Sequence, residues 1–226
     1  MISKSEREQI IALIKKEVVP AIGCTEPIAV ALCVAKATET LGERPKKISV
    51  LLSANILKNA MGVGIPGTGM IGLPIAIALG AIIGKSEYQL EVLKDCTPEA
   101  VEEGKKMIES QAIDISLKYG IEEKLYIEVK CSSDKGEATA IISGGHTHFI
   151  YVSKNDEILL NEKVSENNET NEEELNLNLY KVYEFATTAP LDEIRFILES
   201  KRLNKQAAER SLNGHCLLYT SPSPRD

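Results

Sequence analysis

Residues 23–41 read Gly-Cys-Thr-Glu-Pro-Ile-Ala-Val-Ala-Leu-Cys-Val-Ala-Lys-Ala-Thr-Glu-Thr-Leu, and this stretch decides what kind of core the chain builds. Thr25 is predicted to cap a helix that carries Pro27 in its first turn. We expect this helix to continue to about Leu41 and to end at Gly42, because glycine readily adopts the left-handed conformation that closes a helix. Ala, Val and Leu surround most of the helix, which predicts burial on nearly every side.

The segments on either side of this helix alternate between helical and extended patterns. Residues 4–18 have the apolar spacing of an amphipathic helix. Residues 46–53 are apolar and partly β-branched, which predicts a strand. An irregular glycine-rich stretch is predicted at 55–69. Further helices are predicted at 73–83, 86–93, 98–110, 175–187 and 191–203.

The apolar period changes from helical to alternating near residue 125. Alternation at 125–129, 138–142 and 146–152, with glycine-containing turns between, predicts an antiparallel sheet. The combined pattern predicts an α+β fold in which a helical core receives a small antiparallel-sheet unit. The predicted divisions are part of the helical core at 1–95, the small α+β unit at 96–160, an acidic linker at 161–174, helices returning to the core at 175–213 and a tail at 214–226.

The end of the chain does not fit this pattern. The last eleven residues, Cys216–Asp226, have no apolar periodicity and resemble translated sequencing-adapter read-through. We therefore expect residues 214–226 to be artefactual and the natural sequence to be interrupted near Asn213.

Composition excludes several classes of function. Of the 226 residues, 43% are hydrophobic but only 4% are aromatic, so the core must be built from aliphatic side chains. The net charge of −7 provides no basic surface for nucleic acid or for an anionic membrane. The longest apolar run, at 71–84, is too short to span a bilayer. No signal peptide begins the chain, which predicts a cytoplasmic protein whose five cysteines are thiols.

Cys24 is the candidate metal ligand. At a helix N-terminus the helix dipole and the free N–H groups favour thiolate, which is both a nucleophile and a soft metal ligand. The alternative interpretation is a small buried hydrophobic residue, and this is how we interpret Cys33. No Cys-x-x-Cys pair is present, so spacing alone completes no metal site.

A second candidate site is the glycine-rich stretch at 53–72, which reads Ser-Ala-Asn-Ile-Leu-Lys-Asn-Ala-Met-Gly-Val-Gly-Ile-Pro-Gly-Thr-Gly-Met-Ile-Gly. Its polar side chains could bind the carboxylate and ammonium groups of an amino acid, and its glycines let backbone N–H groups approach a ligand. The alternative is a turn held together by asparagine side chains. The candidate substrate-binding residues are Ser53, Asn55, Lys58, Asn59, Gly67 and Thr68.

His146 is a candidate proton shuttle or substrate ligand. It follows Gly144-Gly145 at the start of a predicted strand, where alternation would place His146 and His148 on the same face. The alternative is a pair of surface histidines on a sheet.

At three segments the chain resembles the L-cysteine desulfidase family, which is related to the alpha chain of iron–sulfur-dependent L-serine dehydratase. These segments are Gly-Cys-Thr-Glu-Pro at 23–27, Asn55–Gly72, and Gly-Gly-His-Thr at 144–147. The resemblance covers residues 1–213 and corresponds to the N-terminal half of a typical member.

The resemblance implies a 4Fe–4S cluster held by three cysteines, with one iron left open to substrate. Cys24 matches the N-terminal ligand, and the other ligands of such proteins lie in the C-terminal half. The implied reaction is β-elimination, in which L-cysteine gives hydrogen sulfide, ammonia and pyruvate. No residue is identified as the base.

Three alternatives remain open. The first is L-serine dehydratase, because serine and cysteine leaving groups both suit an open iron. The second is a non-catalytic metal-binding or redox-sensing module. The third is an inactive fragment whose exposed apolar helices would make it poorly soluble. The expected partner is a small amino-acid substrate, and a homo-oligomer is compatible with the sequence.

Overall fold

The computed structural model describes residues 2–162, 177–210 and 212–213. In chain order the helices are α1 (Lys4–Glu17), α2 (Thr25–Leu41), α3 (Ala54–Ala60), α4 (Leu73–Ile82), α5 (Pro98–Glu109), α6 (Leu179–Thr188), α7 (Leu191–Ile194) and α8 (Leu198–Arg210), with 3₁₀ turns at Ser86–Glu91 and Arg195–Ile197. The strands are β1 (Lys47–Leu52), β2 (Gly64–Ile65), β3 (Met70–Ile71), β4 (Ile113–Leu117), β5 (Tyr126–Ser133), β6 (Gly136–Ser143), β7 (Phe149–Lys154) and β8 (Glu157–Asn161).

The chain divides into two compact units, and their boundaries differ from the predicted ones. Among the described residues, a sheet unit comprises 21–162, and a helical unit combines 2–20 with 177–210 and 212–213. The predicted acidic linker lies outside the described residues from position 163 onward, and so does the predicted tail at 214–226.

Six strands form one mixed sheet in the order β4-β1-β5-β6-β7-β8, while β2 and β3 form a separate hairpin. β1 pairs in parallel with β4 and antiparallel with β5, so that Val50 lies between Ile115 and Val129. The α+β class is confirmed. The predicted division at residue 95 does not isolate the sheet, because β1 comes from the 1–95 segment and pairs with β4 and β5.

The main core lies between the sheet and α2. Alternate residues of β1 are buried, as period-two side chains on one face of a strand must be when a helix covers that face. α2 packs on β5 and β6, and α4 packs on α2 and α5. The helix crossing is close: a Cβ on Gly80 of α4 would lie only 2.6 Å from the carbonyl oxygen of Ala31 in α2.

Several short elements, among them β4, β8 and α3, were not predicted from the sequence. β4 falls beyond the predicted end of the preceding helix, and its alternation lasts only five residues. β8 begins among acidic residues and leaves Ile158 and Leu159 exposed, so it lacks a clear apolar face. α3 interrupts the stretch predicted to be irregular, and at seven residues it is too short to show a helical period.

Polar contacts join α1 to α6 and α7 within the helical unit. Ser3 and Glu6 form a capping box at the start of α1, and the Lys181 ammonium of α6 lies 3.1 Å from the Glu6 carboxylate. Arg7 of α1 lies 3.1 Å from Glu193 of α7. No described helix combines the length and apolar character needed to cross a membrane.

Candidate functional site

The N-terminus of α2 is built differently from the predicted cap. Cys24, rather than Thr25, is the N-cap residue, and its extended backbone (φ −60°, ψ 129°) leads into the helix. Thr25 is the first helical residue. The Cys24 side chain makes no capping hydrogen bond to the helix backbone, and its thiol instead donates to Glu26 Oε2 at 2.9 Å.

Glu26 connects three segments that are distant in the sequence. Its Oε2 also accepts a hydrogen bond from the Thr25 hydroxyl at 3.3 Å, and its Oε1 accepts one from Asn59 Nδ2 on α3 at 3.4 Å. His146, from the turn after β6, is close enough for its charge to act on the Glu26 carboxylate. Two of the motifs that carry the family resemblance therefore contact each other through this side chain, and the third acts on it electrostatically through His146.

The electrostatics of the pair keep the proton on sulfur. The hydrogen bond from Cys24 is the main reason that the pKa of Glu26 is lowered, and His146 adds to the effect. Burial and the nearby carboxylate raise the pKa of Cys24, although the backbone N–H groups of Glu26 and Thr25 oppose them. The prediction that the helix N-terminus favours thiolate is therefore wrong for this arrangement, because desolvation and a like charge outweigh the helix end.

Ser53 and Thr68 use their hydroxyl groups to hold local structure. Ser53 is buried, donates to the Lys124 carbonyl at 2.8 Å and accepts from the backbone N–H of Ile56 as the cap of α3. Thr68 donates to the Ile65 carbonyl at 2.7 Å and accepts from the Met70 N–H at 2.9 Å. These contacts fit the alternative interpretation of a braced turn, and they give no support to substrate binding by either hydroxyl.

The other candidates on α3 are exposed. Asn55, Lys58 and Asn59 are spaced so that they share one face of the helix, and Asn59 is directed to Glu26. Among the described residues Lys58 has no hydrogen bond or ion pair, so its ammonium group is available to an anionic ligand.

Gly67 lies in the turn between β2 and β3 at φ +79°, a conformation that favours glycine. This turn passes near two cysteines. A Cβ on Gly67 would lie 3.9 Å from Cys96 Sγ, and a Cβ on Gly23, next to Cys24, would lie 2.8 Å from Pro66 Cγ. The turn therefore contacts both the start of α2 and the segment that precedes α5.

The described residues do not complete a site for an iron–sulfur cluster. Such clusters are held by several thiolates. Within the described part of the chain no three Cys, His, Asp or Glu side chains are grouped so that they could hold a metal ion. Burial also raises the pKa of Cys96, and Cys33 and Cys131 are buried in the core. Cys24 is thus a single candidate ligand, and we derive no step through a cluster.

His146 is not on a strand. It lies half-buried in the turn at 144–148, and β7 begins only at Phe149. The predicted alternation of His146 and His148 is therefore wrong. His148 is directed elsewhere, with Nδ1 3.0 Å from the Ser143 carbonyl oxygen and Nε2 2.7 Å from Glu162.

Sequence reasoning missed Glu26 as a site residue. An acidic residue in the first turn of a helix is explained well enough by its interaction with the helix dipole, so it does not stand out. The available signal was its position two residues from Cys24 in a motif that is otherwise polar before a wholly apolar helix.

Comparison with known proteins reveals close relatives. The chain is 74% identical over 215 residues to a protein of Phocaeicola vulgatus, and the match covers 95% of this chain and 50% of that protein. These relatives carry the name UPF0597 protein. Those of Porphyromonas gingivalis and Clostridium perfringens are 48% and 41% identical to this chain over 93% and 92% of its length. The chain spans about half the length of the curated relatives it matches. No family model and no solved structure matches it.

Proposed function

We propose that this chain is part of an amino-acid lyase that converts L-cysteine and water into hydrogen sulfide, ammonia and pyruvate by β-elimination. The observation that carries the proposal is the convergence at Glu26. Its carboxylate joins the segment at 23–27 to Asn59 and lies near His146. These are the three segments on which the resemblance to L-cysteine desulfidases rests.

The chemistry of the site suits a zwitterionic amino acid. The partly exposed Glu26 carboxylate, which accepts a hydrogen bond from Asn59, can attract the α-ammonium group of the substrate. Lys58, which has no ionic partner among the described residues, lies one residue from Asn59 and can attract the α-carboxylate. The Asn59 amide and the His146 ring supply further hydrogen-bonding groups beside Glu26.

The 4Fe–4S cluster remains a prediction, and this chain contributes to it only through Cys24. The remaining ligands would have to come from polypeptide outside this chain. The test is anaerobic reconstitution together with the half of the Phocaeicola vulgatus relative that lies outside the match, followed by measurement of iron and sulfide content. Cys24→Ala should lower the bound iron, whereas Cys96→Ala is the matched control and should retain it.

Activity is tested on the same two polypeptides, co-expressed and purified without oxygen. We expect sulfide and pyruvate to be released from L-cysteine. Glu26→Gln should lower kcat/KM by roughly 10- to 100-fold, the effect of losing a hydrogen-bonded charge. Glu99→Gln, also in the first turn of a helix, is the control and should leave turnover unchanged. No sulfide from the loaded complex, or full activity in Glu26→Gln, would refute the proposal.

L-serine dehydratase is the competing activity within the same class. Parallel assays of pyruvate from L-serine and L-cysteine decide between the two, because both substrates present the same ammonium and carboxylate groups to Glu26 and Lys58. A preference for L-serine would mean that the leaving group is a hydroxyl and not a thiol, while the substrate would still be an amino acid. Binding of neither amino acid would favour the non-catalytic module.

A further inference from the structure

Several large apolar side chains of α6 and α7 in the helical unit are exposed. Four of them, Leu179, Tyr180, Tyr183 and Leu191, are each more than two-thirds exposed, and Leu179 and Leu191 reach 85% and 82%. Val182 is also exposed. We call these five residues the α6–α7 patch. Contiguous apolar side chains of this size rarely face solvent unless something covers them.

Most of the α6–α7 patch belongs to α6, and a different side of α6 already makes contacts within the helical unit. Phe185 of α6 is buried, Lys181 contacts Glu6 of α1, and Glu184 accepts a hydrogen bond from the backbone N–H of Ile2. These three positions, i, i+3 and i+4, mark the side of α6 that packs within the helical unit. Leu179, Val182 and Tyr183 have the same spacing on a different side, so α6 has apolar side chains on two sides.

The helical unit has very little core of its own. Among its described residues only Ile10 and Phe185 are buried apolar side chains. Helices of 10 to 14 residues are marginal in water without tertiary packing. The described residues of the unit therefore do not supply the burial that these helices need.

We infer that the α6–α7 patch is the docking surface for the polypeptide that the UPF0597 relatives carry beyond the matched half. The match covers 95% of this chain, so the relatives retain most of these helices, and they add about as much chain again. A segment in the same polypeptide is present at high effective concentration, which favours it over a second copy. Its contact surface should be apolar and uncharged, with aromatic or aliphatic side chains that pack on the tyrosines.

The experiment co-expresses the full chain, tagged, with the untagged unmatched half of the Phocaeicola vulgatus relative. The readout is the mass of the purified complex by light scattering and the dissociation constant. We expect a 1:1 complex. A double variant, Leu179→Glu with Tyr183→Glu, should weaken it by at least ~10-fold, because two charges would be buried in an apolar interface.

Leu159→Glu is the matched control, since Leu159 is an exposed large apolar residue (55%) in the sheet unit, and it should leave the complex intact. All substituted side chains are exposed, and circular dichroism verifies that each variant keeps its helix content. Failure of the wild-type pair to associate would overturn the inference. So would an undiminished complex in the double variant, or a wild-type chain that forms dimers through the patch and excludes the added half. The readout is mass, so it stands or falls independently of lyase activity.

Discussion

At the scale of single residues, the site depends on the hydrogen bond that the Cys24 thiol donates to the Glu26 carboxylate. Cys24 Sγ lies 2.9 Å from Glu26 Oε2, and burial together with this carboxylate raises the pKa of the thiol. The same hydrogen bond lowers the pKa of Glu26. As it stands, Cys24 is therefore a protected thiol and becomes a thiolate only when something compensates for the carboxylate.

The first prediction is that Glu26→Gln makes Cys24 more reactive. The substitution removes a charge and an acceptor that raise the thiol pKa, while the backbone N–H groups that lower it remain. The rate of alkylation by iodoacetamide should rise at neutral pH, and its dependence on pH should move to lower values. Peptide mass spectrometry in a Cys216→Ser background measures each cysteine separately.

Cys96 is the internal control for this experiment. It is similarly half-buried, and only burial raises its pKa, so its alkylation should be the same with and without Glu26. Cys33 and Cys131 should react slowly throughout, since both are buried and burial raises the pKa of Cys131 to about 11. An unchanged or slower rate at Cys24 in the variant would show that the Glu26 contact does not control the thiol.

The sequence predicts those site residues whose side-chain type alone indicates ligand binding. The side chains of Cys24, Asn59 and His146 belong to types that bind ligands, and in the structure all three act on Glu26. Ser53 and Thr68 belong to such types as well, but the Ser53 hydroxyl caps α3 and the Thr68 hydroxyl braces a turn, which depends on backbone geometry that composition does not reveal. Glu26 was missed because its importance arises only from its neighbours in space.

At the scale of secondary structure, the contact between α2 and α4 depends on a missing side chain. A Cβ at Gly80 would lie 2.6 Å from the Ala31 carbonyl oxygen and 3.1 Å from its Cα. Both neighbours are backbone atoms of the buried helix α2, so neither can move without displacing that helix and its N-cap residue, Cys24. The glycine therefore links core packing to the position of the site.

The second prediction is that Gly80→Ala destabilises the sheet unit in spite of alanine's better helix propensity. Forcing a methyl group into this crossing should cost about 1–3 kcal/mol, more than the ~1 kcal/mol that alanine contributes to a helix. Urea denaturation followed by circular dichroism gives the free energy of unfolding. Gly62→Ala is the control, because a Cβ there meets nothing within 4 Å and should change stability little. Equal stability of the two variants would mean that α4 can move away from α2 freely.

The boundaries of the long elements were predictable, and those of the short ones were not. The predicted end of α2 near Leu41 and its closure by Gly42, which has φ +83°, are confirmed, whereas its N-cap lies one residue earlier than predicted. α2 could be predicted because its apolar pattern continues over seventeen residues. β4 and β8 have five residues each and gain their identity from pairing with β1 and β7, so the signal lies in the partner strand.

At the scale of the whole molecule, the order of strands defines the folding unit. β1 comes before α3, α4 and α5 in the chain but pairs with both β4 and β5, so the sheet closes only when residues far apart in sequence meet. α2 then covers β5 and β6. Sequence patterns identify strands and helices but do not say which strands are neighbours, and this is why the sheet was predicted to be a separate insertion at 96–160.

The third prediction compares two isolated fragments, one for the observed sheet unit and one for the division predicted from the sequence. Residues 21–162 contain every strand, α2 and α4, and should unfold in urea as one cooperative transition with a slope of roughly 1–3 kcal/mol per molar. Residues 96–160, the division predicted from the sequence, lack β1 and α2 and should show no cooperative transition. Near-ultraviolet circular dichroism of Tyr126 and Tyr151 reports tertiary packing in both pieces.

If 96–160 folded alone, β1 and α2 would be dispensable, and the sheet would not need the helix whose start includes Cys24 and Glu26. If only 21–162 folds, the sheet and the start of α2 form together, and a change that loosens the sheet should also displace Glu26.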